Sequence, residues 1–175
     1  MADTSFHCDA CGEHHDGSHG GGDDWPALSF HRPDPYLELT PEEQERAHAD
    51  DDLVVIDWGD QVDRFIRVTL SLPVIGHQRT LEYGPWVSLS EQSFTDYVDH
   101  WDDPDHHAHY FGWLSTAIPG YEFPQPLAMR VTTRGDLRPF LEPDPEVDHP
   151  LVRDFYDGIS YEEAELRIRS LLLED

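Results

Sequence analysis

The stretch Arg64-Phe65-Ile66-Arg67-Val68-Thr69-Leu70-Ser71-Leu72 decides the fold class. Ile66, Val68, Leu70 and Leu72 alternate with Arg67, Thr69 and Ser71, the period of two that marks a strand with one face in a core. A second stretch, 81–89, places Leu81, Tyr83, Val87 and Leu89 on one face and Glu82, Trp86 and Ser88 on the other. Outward from these two lie a short apolar strand over 53–57 and a strand over 127–133, where Leu127, Met129 and Val131 alternate with Ala128, Arg130 and Thr132. Residues 138–142 add a short edge strand.

Helix signals surround the strands. Thr40-Pro41-Glu42-Glu43 places an N-cap, a first-turn proline and a capping glutamate in order, opening a short helix that ends near Asp50-Asp51-Asp52. Ser90 caps a helix carrying Phe94, Tyr97, Val98 and Trp101 at helical spacing. Asp148-His149-Pro150 opens another that Gly158 closes, and Ser160-x-x-Glu163 is the capping box of the last. Strands in the middle with helices before, between and after predict an α+β fold: a mostly antiparallel central sheet with flanking helices.

A chain of 175 residues holds one complete core and is short for two. We expect a single domain: residues 1–24 as a flexible or knuckle-like head and 25–175 as a globular body. Pro26, Pro33 and Pro35 make 25–39 an extended or turning connection.

The net charge is −26, and every one of the eleven basic residues is arginine. Such a chain repels nucleic acid and anionic lipid, which bind through clustered cations, so neither is an expected partner. It suits a salt-rich cytosol, where self-repulsion is screened, and the other reading is a merely acidic protein from a GC-rich genome. No apolar run approaches the roughly 20 residues that span a bilayer. The first residues lack a basic and apolar leader, so the expected location is cytoplasmic. The charge is uneven. Residues 64–95 hold Arg64, Arg67 and Arg79 against Glu82 and Glu91, and 106–141 hold Arg130, Arg134 and Arg138 against Glu122 and Asp136, so each stretch is +1.

Three groups of residues could carry chemistry. Cys8-Asp9-Ala10-Cys11-Gly12 sets two thiolates at the spacing of a tetrahedral metal turn, and His15 lies four residues on as a third ligand. One zinc is the expected occupant, with the fourth ligand open and a metal-free knuckle as the other reading. Asp105-His106-His107-Ala108-His109 is a second cluster. It supports the alternative of a metal-dependent enzyme, through a facial site of Asp105, His107 and His109 beside His106. Against that stands a set of solvated loop histidines. Third, Arg67, Trp86 and Arg130 fall on the non-core side of their predicted strands. If those strands are neighbours they form a cationic, aromatic surface for an acidic protein partner or an anionic small ligand; otherwise helices cover them. Neither a Ser-His-Asp order nor a phosphate-cradling glycine loop appears, which leans away from an enzyme.

Several short pieces in order give the chain a family likeness. They are Cys8-x2-Cys11-Gly12-Glu13-x-His15-Asp16-Gly17, Asp52-Leu53-x-Val55-Ile56-Asp57 and Gly84-x-Trp86-Val87-Ser88-Leu89-Ser90. Phe111-Gly112-Trp113-Leu114-Ser115, Ile118-Pro119-Gly120-Tyr121, Arg138-Pro139, His149-Pro150-Leu151 and Gly158-Ile159-Ser160 follow. In these the chain resembles the DUF2199 family of bacterial and archaeal proteins of unknown function, from about Phe6 to Leu172. The resemblance implies a cysteine at the position of Val54 as a fourth metal ligand, and here valine replaces it. It implies no activity.

Overall fold

The computed structural model describes residues 25–173, and the backbone of two short strands nearer the N-terminus, β1 (Phe6–His7) and β2 (His14–His15). These two pair antiparallel, Phe6 opposite His15 and His7 opposite His14. Then come β3 (Leu28–Ser29), α1 (Asp34–Leu37), α2 (Pro41–Arg46), β4 (His48–Ala49), β5 (Leu53–Asp57), β6 (Val62–Arg67) and β7 (Leu70–Pro73). β8 (Thr80–Gly84), β9 (Trp86–Leu89), α3 (Glu91–Asp99), β10 (His109–Leu114), β11 (Ala128–Arg134), β12 (Leu137–Pro143), α4 (Pro150–Asp157) and α5 (Tyr161–Leu173) complete the order.

Seven strands form an antiparallel sheet in the order β12-β11-β10-β9-β6-β5-β4, and a smaller mixed sheet has the order β3-β8-β7. The fold is α+β, as the strand and helix patterns predict. Both long alternating stretches are shared between the two sheets. Pro85 has no N–H for a ladder, so the 81–89 strand breaks there into β8 and β9. The Pro85 carbonyl instead accepts the Val68 N–H at 3.0 Å, where the 64–72 strand also turns from one sheet to the other. Just beyond that bend Thr69 bridges Phe140: its N–H donates to the Pro139 carbonyl at 2.8 Å and its carbonyl accepts from Leu141 N–H at 2.9 Å. The large sheet therefore curls until β12 meets the continuation of β6.

The curl divides the sheet into an inner and an outer face. Inside, Ile66, Val87, Leu89, Tyr110, Met129, Val131 and Leu141 pack with Val68, Leu70, Leu72 and Tyr83 and with Leu151, Val152, Ala164 and Ile168 of α4 and α5. Outside, Val54, Ile56, Phe65 and Trp86 make a second, smaller core against Leu39, Tyr36 and Ala47 of the α1–α2 segment. That cover stops at β9. The outer face of β10, β11 and β12 is left uncovered among the described residues.

The helix starts follow local chemistry. The Thr40 N–H donates to Glu43 Oε2 at 2.8 Å and Thr40 Oγ1 accepts from the Glu43 N–H at 3.3 Å, the reciprocal box expected from the sequence. Ser90 and Ser160 accept from the N–H groups of Ser93 and Glu163. α2 stops at Arg46, short of the acidic run, because His48–Ala49 extends as the edge strand β4.

Asp50 closes the β4–β5 turn, its Oδ1 accepting from the N–H groups of Asp52 at 2.9 Å and Leu53 at 2.8 Å. Partial burial pushes its carboxyl up, but those two donors and His48 outweigh burial and hold it below the usual aspartate range. A depressed folded value gives stability that is present above the unfolded value of about 3.9 and lost as pH falls through the folded one. Asp50→Ala should therefore cost about 1 kcal/mol at pH 7, discounted for an exposed carboxylate. In urea titrations the deficit should shrink steadily below about pH 4; a constant deficit down to pH 2 would show that charge is not what holds the turn.

Candidate functional site

Strand β10 runs through the middle of the exposed outer face. Its side chains alternate between Tyr110 and Gly112 inside and His109, Phe111 and Trp113 outside. Phe111 is 57 % exposed and Trp113 45 %, and the two rings meet edge to face at 4.9 Å between centroids. Across the ladder Phe111 stands opposite Arg130, and Arg130 opposite Glu142. Thr132 pairs with both His109 and Phe140, and its Oγ1 lies 3.0 Å from His109 Nδ1. Phe140 is 41 % exposed and carries the Arg134 guanidinium 3.9 Å above its ring centre. A groove of about 350 Å³ opens beside it, lined by His109, Arg130, Thr132, Phe140, Leu141 and Glu142 together with Ser71 and Phe155.

Arg130 is exposed and makes no ion pair among the described residues. Burial holds the Arg134 guanidinium below its usual range while Glu82 acts the other way; arginine keeps its charge regardless. The face therefore joins three exposed aromatic rings to two guanidinium groups, in a chain whose net charge is −26. Exposed single apolar residues are ordinary. Here two large rings touch, one of them across the ladder from Arg130. A third ring, Phe140, stands two strands away beneath Arg134, which also donates to the Arg138 carbonyl and Thr69 Oγ1.

The surface expected from Arg67, Trp86 and Arg130 needs correction. Trp86 and Arg67 are paired neighbours on β9 and β6, but Arg130 lies on β11 with β10 between. Trp86 is fully buried, its indole N–H donating to the Phe30 carbonyl at 2.9 Å. Arg67 lies 5.5 Å above that ring and donates to the same carbonyl at 2.7 Å and to the Asp51 carbonyl at 3.2 Å. This pair fastens the covering segment to the sheet and offers no surface. Only Arg130 of the three faces solvent. Period-two reading assigned all three to the outer face correctly; it had no means to show that α1 and α2 cover half of it. Phe111, Trp113 and Phe140 were missed, and the available signal was the pair of aromatics at i and i+2 around Gly112.

The second cluster is also rearranged. Asp105, His107 and His109 are exposed, and His109 turns to Thr132 on the outer face. His106 turns the other way, its Nε2 3.2 Å from Asp96 Oδ2 of α3. The four residues do not converge, so the facial site over Asp105–His109 does not form. Val54 is fully buried in the smaller core, packed with Ile56, Phe65 and Trp86. Cys8 and Cys11 lie outside the described residues, as do the side chains of β2, which include His15.

Fold and surface together define an α+β sheet protein that presents an aromatic, arginine-bearing outer face. Residues 7–159 match the family described as uncharacterized protein conserved in bacteria (DUF2199), and the chain belongs to that family. Comparison with curated proteins and with solved structures found no match. Among the described residues no helix is long and apolar enough to cross a membrane.

Proposed function

We propose that this chain is a non-enzymatic binding protein whose contact surface is the outer face of β10, β11 and β12, and whose partner is an acidic polypeptide segment carrying apolar side chains. The observation that carries this is the exposed pair Phe111 and Trp113 on β10, with Arg130 across the ladder and Phe140 two strands away on the same face. Large planar rings bind with little conformational entropy to lose, and arginine forks suit carboxylates. The whole chain carries a net charge of −26, so an acidic partner is repelled in general and the arginines of this face favour one docking direction. An anionic small ligand fits the groove less well, since Glu142 lines it beside Arg130.

The N-terminal knuckle belongs to this reading as a structural element. β1 and β2, which pair antiparallel, flank Cys8 and Cys11 in the sequence, and one zinc held by Cys8, Cys11 and His15 is the occupant this reading assigns. The acid-rich remainder suits a salt-rich cytosol.

A photo-reactive residue placed in cells at position 111, and separately at Glu45 on α2, tests the surface. Position 111 should give a discrete crosslinked adduct whose attached peptide is acidic and apolar, abolished by Trp113→Ser and Arg130→Glu together. Position 45, also exposed but on the covering helix, should give none. Equal adducts from both positions, or adducts indifferent to the double change, would sink the proposal.

A further inference from the structure

We propose that Asp96, His100 and His106 form a binding site for one divalent first-row transition ion, for which Zn²⁺ is the probe. One nitrogen from each imidazole and one carboxylate oxygen of Asp96 lie within 4.8 Å of one another. Ligands of a tetrahedral ion held at about 2.0 Å stand roughly 3.3 Å apart. The donors therefore need to close by no more than an ångström or two, and one of the two stacked rings must turn out of the stack so that both nitrogens face the ion. Two imidazoles and a carboxylate are a donor set for Zn²⁺, Co²⁺ or Fe²⁺, with positions left for water or a fourth group.

The donors are held from several directions. Asp96 and His100 sit one turn apart at the end of α3, and His100 Nδ1 lies 2.7 Å from the Asp96 carbonyl. Tyr110, on the inner face of β10, donates to Asp96 Oδ2 at 2.6 Å, which orients the carboxylate as metal ligands usually require. His106 reaches the site from the loop before β10, with its ring stacked on that of His100 at 4.0 Å and 4°. Its backbone is fixed too. The buried Thr133 hydroxyl donates to the His106 carbonyl at 3.1 Å and accepts from the Ala108 N–H at 2.8 Å. Gly135, with φ at +69°, lets the β11–β12 turn approach the Pro104 carbonyl so closely that a Cβ there would stand 2.9 Å from it.

The field around the site favours a cation. Asp96, Asp99, Asp102, Asp103 and Asp105 lie within ten residues, and no arginine occurs between Arg79 and Arg130. This differs from a mere acidic patch, because two imidazoles and an oriented carboxylate bring donor atoms within 4.8 Å of one another, although the stacked rings must part before both can face one ion. A plain hydrogen-bonded tether of His106 to α3 is the other use of this geometry, and it would require no ion.

The experiment uses untagged full-length chain carrying Cys8→Ser and Cys11→Ser, stripped with chelator, so that the knuckle does not contribute. Titration with Zn²⁺ should show one site, and Co²⁺ should give visible ligand-field bands without a thiolate band. His106→Ala and His100→Ala should each weaken Zn²⁺ by about 10- to 100-fold, while His107→Ala, an exposed neighbour, leaves it unchanged. Where His106→Ala loosens the loop, His106→Gln with an unchanged circular dichroism spectrum gives the same reading. Absence of Co²⁺ bands, or Zn²⁺ affinity equal in the His100, His106 and His107 variants, would overturn the site and leave only the tether. Either result is independent of the crosslinking from position 111.

Discussion

Trp86→Ala should cost about 3–5 kcal/mol of stability, the range for truncating a large buried aromatic. Three losses combine. The ring is fully buried between Val54, Ile56, Phe65 and Leu39, so its removal leaves a cavity in a core of few residues. The Phe30 carbonyl loses the indole N–H and keeps only the Arg67 donor. Arg67 loses the ring beneath it, and its Nε already lacks a hydrogen-bond partner. Trp86→Phe should retain most of the apolar packing and fall about 1–2 kcal/mol short of wild type. Urea unfolding, followed by circular dichroism because other tryptophans remain, measures both. Loss of less than about 1 kcal/mol in the alanine variant would mean that α1 and α2 collapse onto the vacated space, and that this cover is not anchored through Trp86.

That result bears on what the sequence could disclose. Alternation in 64–72 identified the inner face because Ile66, Val68, Leu70 and Leu72 share one core even though the strand changes sheet at Val68. Local period survives such a bend; sheet membership does not, because it depends on where Pro85 and Thr69 find partners far along the chain. The helix starts were legible for a similar reason: Thr40, Ser90 and Ser160 act within three or four residues. The site was largely not legible. Arg67 and Arg130 look alike in sequence, both outward on a strand, yet one is covered by a segment thirty residues upstream and the other by nothing. His106 precedes two exposed histidines, His107 and His109, and its partners Asp96 and His100 come from the preceding helix and its C-cap. Strand β10 escaped because its outward positions are aromatic, so no polar–apolar alternation marks it.

Gly112 explains how those aromatics come to be displayed, and it carries the other large expected effect. The residue points inward on β10, opposite Leu89 of β9 and Met129 of β11. A Cβ built there would stand 2.4 Å from the Ser88 carbonyl oxygen and 2.6 Å from Val87 Cγ2. The first neighbour is backbone in the adjacent strand, so relief requires β9 and β10 to separate and weaken the hydrogen bonds between them. Gly112→Ala should cost about 3 kcal/mol or more, above most overpacking changes because a backbone group must move. Gly112→Val should not fold. Gly84→Ala is the contrasting variant: its nearest neighbour, Ser29 Oγ, is at 3.4 Å, ordinary contact, so it should cost less than about 1 kcal/mol. Urea unfolding ranks the three, and amide hydrogen exchange should show protection lost first in β9 and β10 of Gly112→Ala. Equal stability of the Gly84 and Gly112 alanine variants would mean that the two strands do not approach this closely. If they do, the same missing side chain that draws β10 against β9 also fixes the pitch at which Phe111 and Trp113 stand out from the sheet. Gly112→Ala should then lose the adduct from position 111 even at temperatures where the chain remains folded.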